Sequence, residues 1–215
     1  MTHEHQPGAD QAPEHESETI DHGREQEPAM QPKIWVGSLL DYNYGHLHGD
    51  WIRAAQDDEA LTADVRRILA ASPTAADTGE VAEEFGIFDY DEFGDWKPGE
   101  YESLTIVAAV ARGIQQHGPA FAAWAELHDA DPDMLAAFED AYLGEYDSPE
   151  AWAELLMEES GSREAIERLA QEQVGDLARY VRLDSGQWAQ DAWLSGDITV
   201  MHKDGGGVWI FNANP

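Results

Sequence analysis

The chain has 215 residues, and 44 acidic against 12 basic side chains give it a formal charge of −32. That charge excludes direct binding to nucleic acid, which needs a basic face toward phosphate, and it disfavours anionic membrane surfaces. The lack of cysteine excludes disulfides and thiolate metal sites. No apolar run is long enough to span a bilayer and the N-terminus lacks a signal-peptide core, so a cytoplasmic protein is expected.

Residues 1–32 carry eight acids and one arginine and are rich in Gln, His and Pro, which reads as a disordered acidic tail. His3, His5, His15 and His22 within it read as solvated side chains. The remaining residues hold 36 acids (44 less 8) and 11 basic residues (12 less 1), a charge of −25. All the aromatic residues fall there too, so the excess charge belongs to a folded body.

An N-terminal α+β domain is predicted over 33–98. It contains a strand at Ile34–Val36, a turn at Asn43-Tyr44-Gly45 and a second strand at Leu47–Ile52. The spacing of Leu61, Val65, Ile68 and Leu69 predicts an amphipathic helix over 58–70. A loop over 71–80 and a third strand from Phe85 to Phe93 complete the domain.

A central helical domain is predicted over 99–141. Leu104, Val107, Val110, Ala111 and Ile114 mark its first helix, which Gly118-Pro119 ends. Phe121, Trp124 and Leu127 mark a second. Asp131-Pro132-Asp133, an N-cap with proline at the first helical position, opens a third that runs through Phe138.

The C-terminal α+β domain is placed at 142–215. Ser148-Pro149-Glu150 opens a helix with Trp152, Leu155 and Leu156 on one face. Further helices are expected at 163–171, 174–182 and 186–194. Ile198–His202 and Val208–Phe211 flank a Gly-rich turn and read as a terminal β-hairpin. The predicted fold is α+β, a chain of three small domains. These are a three-stranded antiparallel sheet with a helix, a helical bundle, and an α+β unit ending in the hairpin.

The acids are not scattered. Between Arg112 and Arg163 there is no lysine or arginine, and the fifty residues between them carry Glu126, Asp129, Asp131, Asp133, Glu139, Asp140, Glu145, Asp147, Glu150, Glu154, Glu158 and Glu159. Self-repulsion of this kind destabilises a compact state. Glu150, Glu154 and Glu158 are spaced i, i+4, i+8, and four helical residues advance roughly 6 Å. That rise matches about every second phosphate of one DNA strand at roughly 3.4 Å each. A second cation-free stretch from Ile68 to Trp96 includes Glu83, Glu84, Asp89, Asp91, Glu92 and Asp95. These eighteen carboxylates are the candidate partner-binding residues, aimed at a basic surface that holds a polyanion.

Competing motifs are weaker. Asp89–Glu100 imitates a calcium loop, but Phe93 stands at position five and Pro98 where the exiting helix should begin. Asp129, Asp131 and Asp133 have ligand spacing, but Met134 replaces the required glycine, and helix capping accounts for the aspartates. His46, His48 and Asp50 lack a third strong metal ligand. No phosphate loop, dinucleotide fingerprint or nucleophile elbow is present, so no cofactor, metal or enzymatic activity is expected.

The chain resembles the ArdA antirestriction proteins of plasmids, conjugative transposons and phages, from about Lys33 to Asn212. Three stretches carry the resemblance. The first is Tyr42-Asn43-Tyr44-Gly45-His46-Leu47-His48-Gly49-Asp50-Trp51. The second runs from Phe138 to Ser148 and is followed by Trp152-Ala153. The third comprises Asp191, Leu194-Ser195-Gly196-Asp197 and the Gly-rich turn before Val208-Trp209-Ile210-Phe211. The resemblance implies a mimic of B-form DNA that occupies the DNA-binding cleft of type I restriction–modification enzymes, blocking restriction and often methylation. It also implies an elongated chain of three small domains and a homodimer formed through the C-terminal region. Tyr142–Glu159 overlaps the family's antirestriction motif, and Gln190 departs from the family pattern, which often has arginine there.

Two folded protomers would carry −50, the charge on roughly 85 Å of duplex at one charge per roughly 1.7 Å. Two other readings stay open: a general acidic decoy or chaperone for basic DNA-binding proteins, and halophilic adaptation of an ordinary enzyme.

Overall fold

The structure, a computed structural model, describes residues 30–215. The tail expected at the N-terminus therefore lies, up to residue 29, outside the described residues. Met30 already packs against the core and Pro32 O accepts from Ala54 N at 2.9 Å.

Strand β1 (Lys33–Ser38) is the centre of a three-stranded antiparallel sheet, between β2 (Gly49–Arg53) and β3 (Phe85–Asp91). Alternation assigns its faces. Ile34, Val36 and Ile52 are buried, while Trp35 pairs with Trp51 and Asp89 on the opposite face. A Cβ on Gly49 would stand 2.6 Å from the Trp35 ring, so only glycine admits that ring across the pair.

The helix read at 58–70 is present at those bounds. Asp57 caps its start, accepting from Ala60 N at 2.7 Å, and Leu61, Val65, Ile68 and Leu69 are buried.

Two short helices correct the reading of this region. Leu39–Asn43 is helical (α1) where only a turn was expected at its end, and Pro73–Thr78 is helical (α3, following α2 at Asp58–Ala70) where a loop was expected. Both are held by capping. Ser72 Oγ accepts from Ala75 N at 3.0 Å, Pro73 starts the first turn, and Gly79 closes the helix at φ 77°.

A fully buried aspartate links the two short helices. Asp41 accepts from Ser72 Oγ at 2.6 Å and from Thr74 N at 3.0 Å. Burial alone would raise its pKa, but hydrogen bonds from Ser38, Ser72 and Thr74 outweigh this and hold the carboxyl well below the usual range.

The centre of the chain is helical: α4 (Leu104–His117), α5 (Pro119–Leu127), α6 (Pro132–Ala136) and α7 (Phe138–Ala141). The third predicted helix is thus two short ones, separated at Ala137. Buried residues of the first sheet, α2 and α4–α7 form one continuous apolar cluster, which also receives Trp209 and Phe211 from the last strand. Phe138 stands among Phe121, Trp124, Tyr142 and Phe211, with ring centroids 4.9–6.5 Å apart.

The second sheet contains a strand absent from the sequence reading, β4 (Tyr142–Tyr146). It pairs antiparallel with β6 (Val208–Asn212), which pairs in turn with β5 (Ile198–His202). The β5–β6 hairpin is as predicted. β4 is short, interrupted by Gly144, and extended through pairing with a strand far along the chain (Tyr142 with Phe211).

Three helices and a 3-10 turn separate β4 from β5. They are α8 (Pro149–Glu159), α9 (Ser162–Val174), the 3-10 turn (Gly175–Tyr180) and α10 (Ser185–Ser195). The 3-10 turn replaces the α-helix expected at 174–182. A second apolar cluster joins Trp152 and Ala153 of α8 to Ala189 and Ala192 of α10 and to the strands.

Candidate functional site

All eighteen carboxylates singled out from the sequence are exposed. What distinguishes them is the shortage of cations nearby. The ion pairs among the described residues are Arg67 with Asp50 and Asp64, Arg112 with Asp58, Lys203 with Glu145, and His117 with Glu139 at 3.6 Å when the imidazole is protonated. Only Glu139 and Glu145 of the eighteen therefore have a basic partner. The other sixteen face solvent without one, so their mutual repulsion is uncompensated within the described residues.

The first group sits on and around β3. Glu83 and Glu84 precede the strand. Asp89 and Asp91 lie on it, and Asp89 pairs across from Trp35. Glu92 follows at φ 60°, a left-handed conformation rare for a side-chain-bearing residue, and accepts from Gln31 N. Asp95 lies in the turn beyond.

The second group starts at the tip between α5 and α6. Glu126 lies in the last turn of α5, and Asp129 takes φ 50° in the tight connection. Asp131 caps α6, accepting from Asp133 N at 3.0 Å and Met134 N at 3.2 Å, as the sequence predicts. Its charge thus serves the fold as well as the surface. Glu139 and Asp140 project from α7, Glu145 from β4, and Asp147 from the turn before α8.

On α8 the structure corrects the predicted face. Ser148 caps the helix, accepting from Ala151 N at 3.1 Å. The buried side chains are Trp152, Ala153 and Met157, while Leu155 and Leu156 are 43% and 40% exposed. Trp152 stacks on Trp188 of α10 at 5.2 Å, and small residues at Ala153, Ala189 and Ala192 let the helices approach there. The seam is thereby turned away from the two leucines.

Glu150 and Glu154 consequently flank the packed seam instead of lying opposite it. Glu154 accepts from Ser185 Oγ at 3.3 Å, and Glu150 lies beside Gly186. The stripe remains exposed, but two of its members border α10.

Three tyrosines register the negative surroundings. The Tyr44 hydroxyl donates to Glu80, and this bond raises its pKa. Glu100, and more weakly Glu84, raise that of Tyr101. Burial raises that of Tyr146, with Glu159 adding to it.

His46 Nδ1 lies 3.3 Å from Thr74 Oγ1, and His48 Nε2 is 2.8 Å from Ile68 O, so both imidazoles are engaged by the fold. Among the described residues no group of three His, Asp or Glu side chains is placed to hold a metal. No helix among them is long and apolar enough to cross a membrane.

The feature that the acidic pattern hides is its complement. Arg163, Arg168, Arg179 and Arg182 follow the cation-free stretch within twenty residues, and none is ion-paired to a described carboxylate. Their clustering is visible in the sequence, but their lack of partners is not.

Comparison with protein families gives a match over residues 34–205 to a family described as Antirestriction protein (ArdA). No curated protein matches the chain.

Proposed function

Since the chain belongs to the ArdA antirestriction family, we propose that it acts as a DNA mimic against type I restriction–modification enzymes. Its carboxylates would occupy the basic cleft that otherwise holds the duplex and so inhibit restriction. The reading rests chiefly on one observation: sixteen exposed carboxylates, eighteen less Glu139 and Glu145, have no cationic partner among the described residues. A cleft evolved to neutralise phosphates supplies the missing countercharge, and association is electrostatically steered.

The interaction is collective. Glu139 and Glu145 contribute least because each already has a neighbouring base, and Asp131 is divided between capping and surface. Homodimerisation through the C-terminal residues belongs to the same proposal. Exposed Leu155, Leu156, Trp193 and Leu194 support it as apolar surface that a second protomer would cover.

A pull-down on a purified type I methyltransferase core, with duplex DNA as competitor, tests the reading. The proposal expects mutually exclusive binding and little retention on generic polycations. A ternary complex with DNA contradicts it, and indiscriminate capture by polycations favours a general acidic decoy.

A further inference from the structure

The arm formed by α9, the 3-10 turn and the residues that follow it to Leu183 buries none of its own residues, yet it lines a cavity open to solvent. The cavity has a volume of about 290 Å³ and three arginines in its lining, Arg163, Arg179 and Arg182. Its walls are otherwise largely apolar, with Ile166, Val181 and Leu183 among them.

In a chain of charge −32 an arginine has abundant carboxylates to choose from, and these three are ion-paired to none of the described ones. Glu167 also lines the cavity and stands at i, i+4 from Arg163, but the two are not ion-paired. Arg182 donates from Nη1 to Val181 O at 2.9 Å, and Arg179 lies over the Tyr180 ring at 4.9 Å. Those contacts leave further guanidinium donors available, since each group carries five.

A planar guanidinium fork matches phosphate and carboxylate oxygens two at a time. The field of the whole chain opposes the approach of a large polyanion but penalises a small anion much less. The volume is near the lower end for small-molecule sites, roughly 300 Å³.

We propose that this cavity binds a small organic anion, a phosphate or carboxylate group carried on an apolar body. The arginines hold the anionic group and the Ile166, Val181 and Leu183 walls take the apolar part. The site is independent of the antirestriction surface.

The test is titration of the full chain with phenyl phosphate, benzoate and inorganic phosphate in dilute non-phosphate buffer, followed by calorimetry and by amide NMR. The expected result is saturable 1:1 binding of phenyl phosphate or benzoate, whichever binds identifying the anionic group. Inorganic phosphate should bind more weakly for lack of an apolar part. Shifted amides should cluster in Arg163–Gln171 and Ala178–Leu183.

The double variant R179Q/R182Q should weaken binding by about tenfold or more, the scale of charge-assisted hydrogen bonds. R168Q, outside the lining, should bind like the parent. No saturable binding by phenyl phosphate or benzoate overturns the proposal, as do shifts scattered over the molecule or undiminished binding by the double variant. The amide map of the parent chain keeps the test valid even if the variant unfolds.

Discussion

Helices α8 and α9 are separated only by Ser160 and Gly161, yet they differ in both packing and charge. α8 buries Trp152, Ala153 and Met157 and carries Glu150, Glu154, Glu158 and Glu159 with no cation. α9 buries nothing and intersperses Arg163 and Arg168 among its acids, placing Glu164 and Arg168 at i, i+4. Mixed signs are the ordinary way to solvate a helix, and like charges at i, i+4 cost a few tenths of a kcal/mol each. α8 accepts that cost while its neighbour does not. One-sign charge is therefore a property of particular places in this chain and not of its composition throughout.

The strongest way to break the contrast is to reverse it. The variant E150K/E154K/E158K/E159K changes only exposed side chains. It should stay folded while inhibition of restriction falls by about a hundredfold or more, as expected when several phosphate-like contacts become repulsive. Undiminished inhibition in a restriction assay removes α8 from the binding surface.

Packing offers the next test. Trp152→Ala should destabilise the chain by about 3–5 kcal/mol, because it opens a cavity against Trp188 and α10. Leu169→Ala on α9, where the side chain is 53% exposed, should cost less than about 0.5 kcal/mol. Urea midpoints measure both, and comparable losses would show that α9 is packed as tightly as α8.

Asp41 sharpens the comparison from within, as a carboxylate committed to the fold. Its folded pKa is depressed, so its stabilising contribution is complete above the unfolded value near 3.8 and is lost as pH falls through the folded value. Asp41→Asn should cost about 2 kcal/mol at neutral pH by disturbing the Ser72 and Thr74 hydrogen bonds. It should also flatten the acid limb of a stability–pH profile, whereas an unchanged limb would show that other carboxylates set it. The smallest effect belongs to single truncations such as Glu158→Ala. One exposed charge is worth less than about 1 kcal/mol, so inhibition should change by no more than about fivefold.

Much of the fold is legible where local signals suffice. The apolar spacing of α2, the break at Gly118-Pro119, the prolines opening α6 and α8, and the β5–β6 hairpin are all read directly from adjacent residues. The two short helices are different. α3 carries readable caps in Ser72-Pro73 and Gly79, but it is docked by Asp41, thirty-odd residues away, which no local pattern announces. β4 depends on pairing with β6, and its Tyr-Leu-Gly-Glu-Tyr sequence has little strand character alone.

The candidate surface is legible in part. Exposure of the carboxylates follows from their chemistry and the cation gap from counting, and the family resemblance follows from three short motifs. Which face of α8 packs does not, because Leu155 and Leu156 are apolar and uncovered while Ala153 is buried. That choice is made by where α10 lies. The absence of an ion pair at Arg163 among the described residues likewise depends on side-chain geometry, because Glu167 at i, i+4 is the partner that spacing alone would predict.

The central claim is that these carboxylates stand in for phosphates, and the salt dependence of binding to a type I methyltransferase core tests it most directly. Affinity should fall steeply, by about a hundredfold or more between about 50 and about 200 mM salt, in parallel with the enzyme's affinity for duplex DNA. Affinity that stays flat over that range would mean apolar contacts carry the complex, and would contradict mimicry of the phosphate backbone.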